Sequence, residues 1–279
     1  MTMTLKQAVE QELVADHDRL AAYLKLETVS AQHREIDETV DFLEQAFKSV
    51  GATVTVWRDV AGSHPFVFAT LPAGPTGNAD KTLLFYNHYD VQPPEPLDEW
   101  QTAPFDLTEV DGKYVARGVS DDKGELMARL SAVKALQATS GLPCNLKFIV
   151  EGEEEIGSPH IAPMVQQHAA ELAADVIVWE TGGKDADENF DITCGVKGIM
   201  SFELRVKTAE KDLHSSLAAY ADNAAWRLTR ALASLRGPDN RVLVAGFYDE
   251  VRVWTAEEQR ATAALPFNET TTRENFSLK

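Results

Sequence analysis

Apolar and polar positions along the 279-residue chain fall into blocks that switch between helical and strand spacing. Over residues 5–26, Leu13, Leu20 and Leu24 recur at helical intervals among acids and bases, which predicts an amphipathic packing helix. Residues 37–50 repeat the pattern with Val40, Leu43, Ala46 and Phe47, stop at Gly51, and lead into an alternating strand over 53–57. A second strand over 65–71 breaks at the turn cluster PAGPTGNADK. The next strand, over 82–86 within LLFYNHYD, runs directly into His88 and Asp90. The following stretch, VQPPEPLDEWQTAPF, holds too many prolines for a helix and reads as an ordered loop, pinned by Trp100 and Phe105. A hairpin over 107–114 turns at Asp111-Gly112. A helix then begins near Gly124 with Leu126, Leu130, Val133 and Leu136 on one face, followed by a strand over 145–150, a helix over 161–173 and a strand over 175–179.

Strand, loop and helix in repetition predict an α/β fold built on a doubly wound, mostly parallel sheet, whose ligands gather at the carboxyl ends of the strands. Past Asp191 the texture changes. GVKGIMSFELRVKT (195–208) alternates as an antiparallel strand with one covered face would, a helix is predicted over 223–235 and stopped by Gly237-Pro238, and 242–244 reads as a short strand. The expected division is a first domain over 1–194 and a smaller α+β domain from 195–279.

Composition adds limits rather than shape. With 44% hydrophobic and 25% charged residues the chain can build a core, and 26 Lys and Arg against 44 Asp and Glu give a charge of -18. That balance disfavours nucleic acid and anionic membranes as partners. No apolar run reaches membrane-spanning length and the first residues carry no signal-peptide core, so a cytoplasmic location is expected. Two cysteines, Cys144 and Cys194, exclude a disulfide framework and fit a reducing compartment.

The chemistry-bearing residues fall where the strands end. His88 and Asp90 close one strand. Asp121 and Asp122 lie between Gly118 and Gly124, just before a helix, where aspartates also serve as caps. Four glutamates crowd EGEEEIGS after the strand over 145–150, and Glu180 ends the next. Imidazole and carboxylates converging on one sheet edge suit divalent metal ions. Asp121, among small residues, suits a bridge between two of them. Of Glu154 and Glu155, one can ligate while the other stays free as a general base. Asp90 suits a partner that fixes the His88 tautomer. The reaction class is hydrolysis of an amide bond by an activated water. A structural reading stands beside this one: strand-end histidines also pair with acids simply to satisfy hydrogen bonds.

The motifs NHYDVQP (87–93), W-x3-PF (100–105), RGVSDDKG (117–124), EGEEEIGS (151–158), the acid at Glu180 and KDLHSS (211–216) resemble the M20 family of metallopeptidases, and most of all its carnosinase-like dipeptidase branch. The resemblance implies a zinc-aminopeptidase-like catalytic domain with an inserted smaller lid that also dimerises. It implies His88 and Glu180 on one metal, Glu155 on the other, Asp121 bridging, Glu154 as general base and acid, and Asp90 orienting His88. His214 would polarise the scissile carbonyl across a homodimer or over a closing lid. Two divalent ions, zinc with manganese or cobalt as alternatives, and small peptide substrates follow, with N-acyl amino acid deacylation or a catalytically incomplete, metal-binding or dimerising fragment as the other readings. Many family members carry Asp where this chain has Glu180. The family also uses a further histidine beyond the lid; none of His17, His33, His64, His160 or His168 is well placed to replace it, so the resemblance implies that the 279 residues end inside the lid.

Overall fold

The computed structural model describes residues 3–180, 182–184, 189–193 and 195–279, and Cys194 lies outside them. Helix α1 (Leu5–Leu24) starts at a capping box, in which the Thr4 hydroxyl accepts from the Gln7 N–H and the Gln7 side chain returns to the Thr4 N–H. It is followed by α2 (Ile36–Ser49), whose Val40, Leu43, Ala46 and Phe47 are buried, as the spacing predicts. Gly51 takes a positive φ after α2 and turns the chain into β1 (Thr53–Trp57).

Strands β1, β2 (Phe66–Leu71), β3 (Asn78–His88), β6 (Cys144–Glu151) and β7 (Val176–Val178) form one sheet in the order β1-β2-β6-β3-β7. β3 runs parallel to both β6 and β7, whereas β2 is antiparallel to β1 and to β6. Four strands therefore share a direction and only β2 opposes them. β3 reaches back to Asn78, so the end of the expected turn cluster joins the strand, with an irregular register between Asn78 and Thr82. The predicted hairpin forms as β4 (Thr108–Val110) and β5 (Lys113–Val115), turning through Asp111 and Gly112 at positive φ.

Helices cover both faces of the sheet. On one, α2 and α3 (Lys123–Gln137) bury Phe47, Leu126 and Leu130 against Val67, Phe148 and Val150, and α1 lies beside α3. On the other, Met164 of α4 (Ile161–Gln167) and Leu172 of α5 (Ala169–Leu172) meet Phe66, Leu84, Tyr86 and Ile149. Removing a fully buried aromatic such as Phe148 costs about 3–5 kcal/mol. The expected single helix over 161–173 is broken at His168, whose ring stacks on Trp57 with centroids 3.7 Å apart and bonds Asp59. These contacts outside the helix hold His168 in a non-helical conformation.

The chain divides into two compact units, Met1–Gly195 and Val196–Lys279. In the first, two short strands, β8 (Gly183–Lys184) and β9 (Phe190–Asp191), pair antiparallel beyond β7. In the second, α6 (Ala224–Leu235) is capped by the Asn223 side chain and ends before Gly237-Pro238 as expected. It is followed by α7 (Ala256–Ala263) and α8 (Glu269–Asn275). Two sequence expectations fail there. Residues 195–208 form no strand, and 242–244 supply only an isolated bridge from Val242 to Arg236. Alternation fixes which side chains share a side: Glu203 and Arg205, two apart, pair at 2.6 Å. It supplies no neighbouring strand, and the described residues of this unit offer none. No described helix is long and apolar enough to cross a membrane.

Candidate metal centre

β3 and β6 stay in register up to the pair His88–Glu151, so a parallel ladder carries His88 to the carboxyl edge of the sheet. The imidazole is fully buried. Its Nε2 lies 2.8 Å from Asp121 Oδ1 and 3.5 Å from Glu180 Oε2, and its Nδ1 lies 3.0 Å from the Asp90 carbonyl and 3.3 Å from Asp90 Oδ1. Both ring nitrogens are thus committed to acceptors.

Asp90 does more than orient this ring. Its Oδ1 accepts the Glu154 N–H at 3.2 Å and its Oδ2 accepts the Glu155 N–H at 3.1 Å. One buried carboxylate therefore fixes His88 and the turn that carries both glutamates. Gln92 Nε2 donates 2.8 Å to Glu155 Oε2 and 3.0 Å to its carbonyl, which holds the other side of that residue.

The four-glutamate run separates into two pairs. Glu151 accepts from the Tyr86 and Ser158 hydroxyls, and Glu153 accepts the His64 N–H and pairs with His160 at 2.7 Å. These two are structural. Glu154 and Glu155, in the short 3-10 turn after the strand, remain for the site.

Asp122 occupies the N-cap position of α3, yet its side chain caps nothing. Its Oδ2 accepts instead from Asn87 Nδ2 at 2.7 Å and from the His88 N–H at 2.9 Å, while its Oδ1 is buried without a partner. The capping reading of this aspartate gives way to a place beside His88. One donor atom from each of His88, Asp121 and Glu155 lies within 4.8 Å of the others, and the same holds for His88, Asp122 and Glu180. The other three residues expected as metal ligands, Asp121, Glu155 and Glu180, are therefore gathered about His88, and Asp122 joins them.

Crowding is legible in the protonation states. Burial alone would lower the His88 pKa, but hydrogen bonds to Asp121 and Asp90 and the nearby Asp122 outweigh it and push it up to about 11. The bond from His88 holds Asp121 below the usual carboxylate range. Burial pushes Glu180 up to about 7 and Asp122 up to about 6, against the pull of His88, and it also raises Glu155. The imidazolium thus serves as the cation among the acids. Glu180 Oε2 and Asp122 Oδ1 are both buried without hydrogen-bond partners. Buried carboxylate oxygens without hydrogen-bond partners beside an imidazole are a donor set suited to hard or borderline divalent cations, so these residues fit metal ions.

His214, in the second unit, is exposed at the start of a short 3-10 turn, with Nδ1 2.9 Å from Ser216 Oγ. Among the described residues no further histidine joins the groups about His88. Sequence reasoning did not single out Asn87, Gln92 or Asp122 as parts of the site. Closeness in sequence, next to His88, two residues past Asp90 and next to Asp121, was the available signal. Lys123 gave none: beside two aspartates it reads as a surface charge, but it is fully buried, donating to the Tyr23 and Leu26 carbonyls and to Thr28.

Residues 84–265 match the model of peptidase family M20/M25/M40. The human Beta-Ala-His dipeptidase is 38% identical over 210 residues, covering 72% of this chain and 40% of that protein. The Cys-Gly metallodipeptidase of Schizosaccharomyces pombe is 31% identical over 257 residues, covering 86% of this chain and 53% of that one. The crystal structure of an M20 family metallo-carboxypeptidase from Sulfolobus solfataricus superposes with a TM-score of 0.83 at 36% identity, covering 96% of this chain and 59% of that one. The chain thus spans about half the length of the relatives it matches.

Proposed function

Because the chain belongs to peptidase family M20/M25/M40, we propose that it performs metal-dependent hydrolysis of dipeptides at the centre built about His88. The observation that carries the proposal is the gathering of Asp121, Asp122, Glu155 and Glu180 on one buried imidazole, with buried carboxylate oxygens of Asp122 and Glu180 left without hydrogen-bond partners. In this reading His88, Asp121, Glu155 and Glu180 hold two divalent ions, zinc first and manganese or cobalt as alternatives. Such ions polarise a carbonyl and acidify water. Glu154, in the same turn as Glu155, takes a proton from the attacking water at its carboxylate and returns it to the leaving amine. Asp90 holds the ring of His88 and the backbone of both glutamates, and Gln92 aims the Glu155 carboxylate.

Residues 1–194 are the catalytic domain in this proposal, and residues 195–279 belong to a lid that forms a homodimer. His214 is the lid's contribution, polarising the scissile carbonyl. A cytoplasmic location is part of the same reading. That relatives are named dipeptidases supports dipeptides rather than acylated amino acids as the substrates of this chain. The test is release of free amino acids from a dipeptide panel and an N-acyl amino acid panel, before and after chelation. Dipeptide hydrolysis lost to chelator and restored by zinc, manganese or cobalt is expected. Hydrolysis that survives chelation, or is confined to acylated amino acids, refutes the proposal.

A further inference from the structure

The pairing of β3 with β7 runs through Leu83, Leu84 and Phe85 opposite Val176, Ile177 and Val178, and ends there. His88 lies three residues beyond the last pair and Glu180 two beyond it. Backbone hydrogen bonds between these strands therefore do not set the spacing of the two side chains. Arg129, from α3, spans the gap. Its Nη1 donates to the Tyr86 carbonyl at 2.8 Å and to Asn87 Oδ1 at 2.6 Å, and its Nη2 donates to the Trp179 carbonyl at 2.9 Å. On the β3 side the link continues, because Asn87 Nδ2 donates to the same Asp122 oxygen that accepts the His88 N–H. On the β7 side, Trp179 immediately precedes Glu180. The guanidinium is further held over the Phe85 ring at 5.3 Å. The stacking of Tyr86 on Trp179 at 3.8 Å, also at this level, joins the side chains but leaves these carbonyls untouched.

We infer that Arg129 is a positioning residue for the metal centre: its planar fork bridges the ends of β3 and β7 and sets His88, Asp122 and Glu180 at ligating distance. The inference rests on the metal-binding reading above. A planar guanidinium suits the task because it presents several donors in fixed directions, so one side chain reaches two backbones at once; an ammonium on a flexible stem lacks that geometry. Nothing in the sequence marks the residue, which flanks the apolar face of α3 beside Leu130.

Charge and geometry predict opposite results, which makes the role testable. Arg129 is a cation near a cation site, so a purely electrostatic role means that its removal tightens metal binding. A positioning role means that removal weakens it, by about 10–100-fold as for other residues that orient ligands. The experiment is zinc affinity of the full 279-residue chain, measured by competition with a chromophoric chelator, for wild type, Arg129→Met and Arg129→Lys. Metal-free melting temperatures are recorded beside it. Positioning predicts about 10–100-fold weaker binding for Arg129→Met, with Arg129→Lys failing to restore it. Unchanged or tighter binding in Arg129→Met, or full recovery in Arg129→Lys, overturns the inference. So does a drop in metal-free stability with no change in affinity for the folded protein. A wild-type chain that binds no zinc removes the metal-centre reading itself and this inference with it.

Discussion

Replacing Asp90 by asparagine isolates the residue that joins both halves of the site. Its two carboxylate oxygens accept the Glu154 and Glu155 N–H groups at 3.2 and 3.1 Å, and the side chain is fully buried. Asparagine keeps one oxygen and turns an NH2 group toward the other N–H, so two donors face each other without water. A buried donor left unsatisfied costs about 1–3 kcal/mol, and bonds to a charged acceptor are stronger than neutral ones. Relief from burying a charge offsets part of this. The net expectation for Asp90→Asn is about 2–4 kcal/mol lost from the first unit. At roughly 2–4 °C per kcal/mol for a domain of about 150–250 residues, the melting temperature drops by roughly 5–15 °C. The same change frees the turn carrying Glu154 and Glu155, and loss of a group that orients metal-binding residues weakens metal affinity about 10–100-fold. Calorimetry in chelator and zinc competition on the same preparations give both numbers. Equal melting temperatures and equal zinc affinities for wild type and Asp90→Asn would refute the claim that this carboxylate organises the turn.

Three further outcomes follow from the same geometry. Glu154→Gln lowers kcat for dipeptide hydrolysis by about 100–10,000-fold, the range for a lost general base, and leaves zinc affinity nearly unchanged because Glu154 lies outside both ligand groups; parallel turnover and metal titrations check it. Without metal, Glu180 and Asp122 hold protons in the folded state up to about pH 7 and 6, above the range where the unfolded chain has lost them, so these groups make stability fall as pH rises through about 4–7. His88, raised to about 11, contributes in the same direction above its unfolded pKa of about 6.5. Because cations take the place of those protons, the gap between zinc-loaded and metal-free melting temperatures widens from pH 5 to pH 8, which a paired pH series of thermal scans measures.

The candidate metal centre was partly legible in the chain because His88, Glu154, Glu155 and Glu180 each end or follow a strand with a strong local pattern. His88, Glu154, Glu155 and Glu180 could be placed at one rim before any contact was known, since parallel strands carry their carboxyl ends to the same side. What local pattern does not encode is the partner of a polar group. Asp122 looks like a helix cap but turns to Asn87 and His88. Glu151 and Glu153 look like part of the site but serve Tyr86, Ser158, His64 and His160. Arg129 and Lys123 look solvated, yet their partners lie on elements far away in sequence. The second unit shows the same limit for the backbone: residues 195–208 alternate like a strand, but a strand exists only where another backbone pairs with it.

The central claim is that the cluster about His88 binds divalent metal, and equilibrium dialysis of the 279-residue chain against zinc, for wild type and His88→Ala, tests it most directly. His88 belongs to both ligand groups, so its loss removes a donor from each. The account predicts stable zinc binding by wild type and at least about 100-fold weaker binding by His88→Ala with the fold retained by circular dichroism. Equal zinc binding by the two proteins would contradict it.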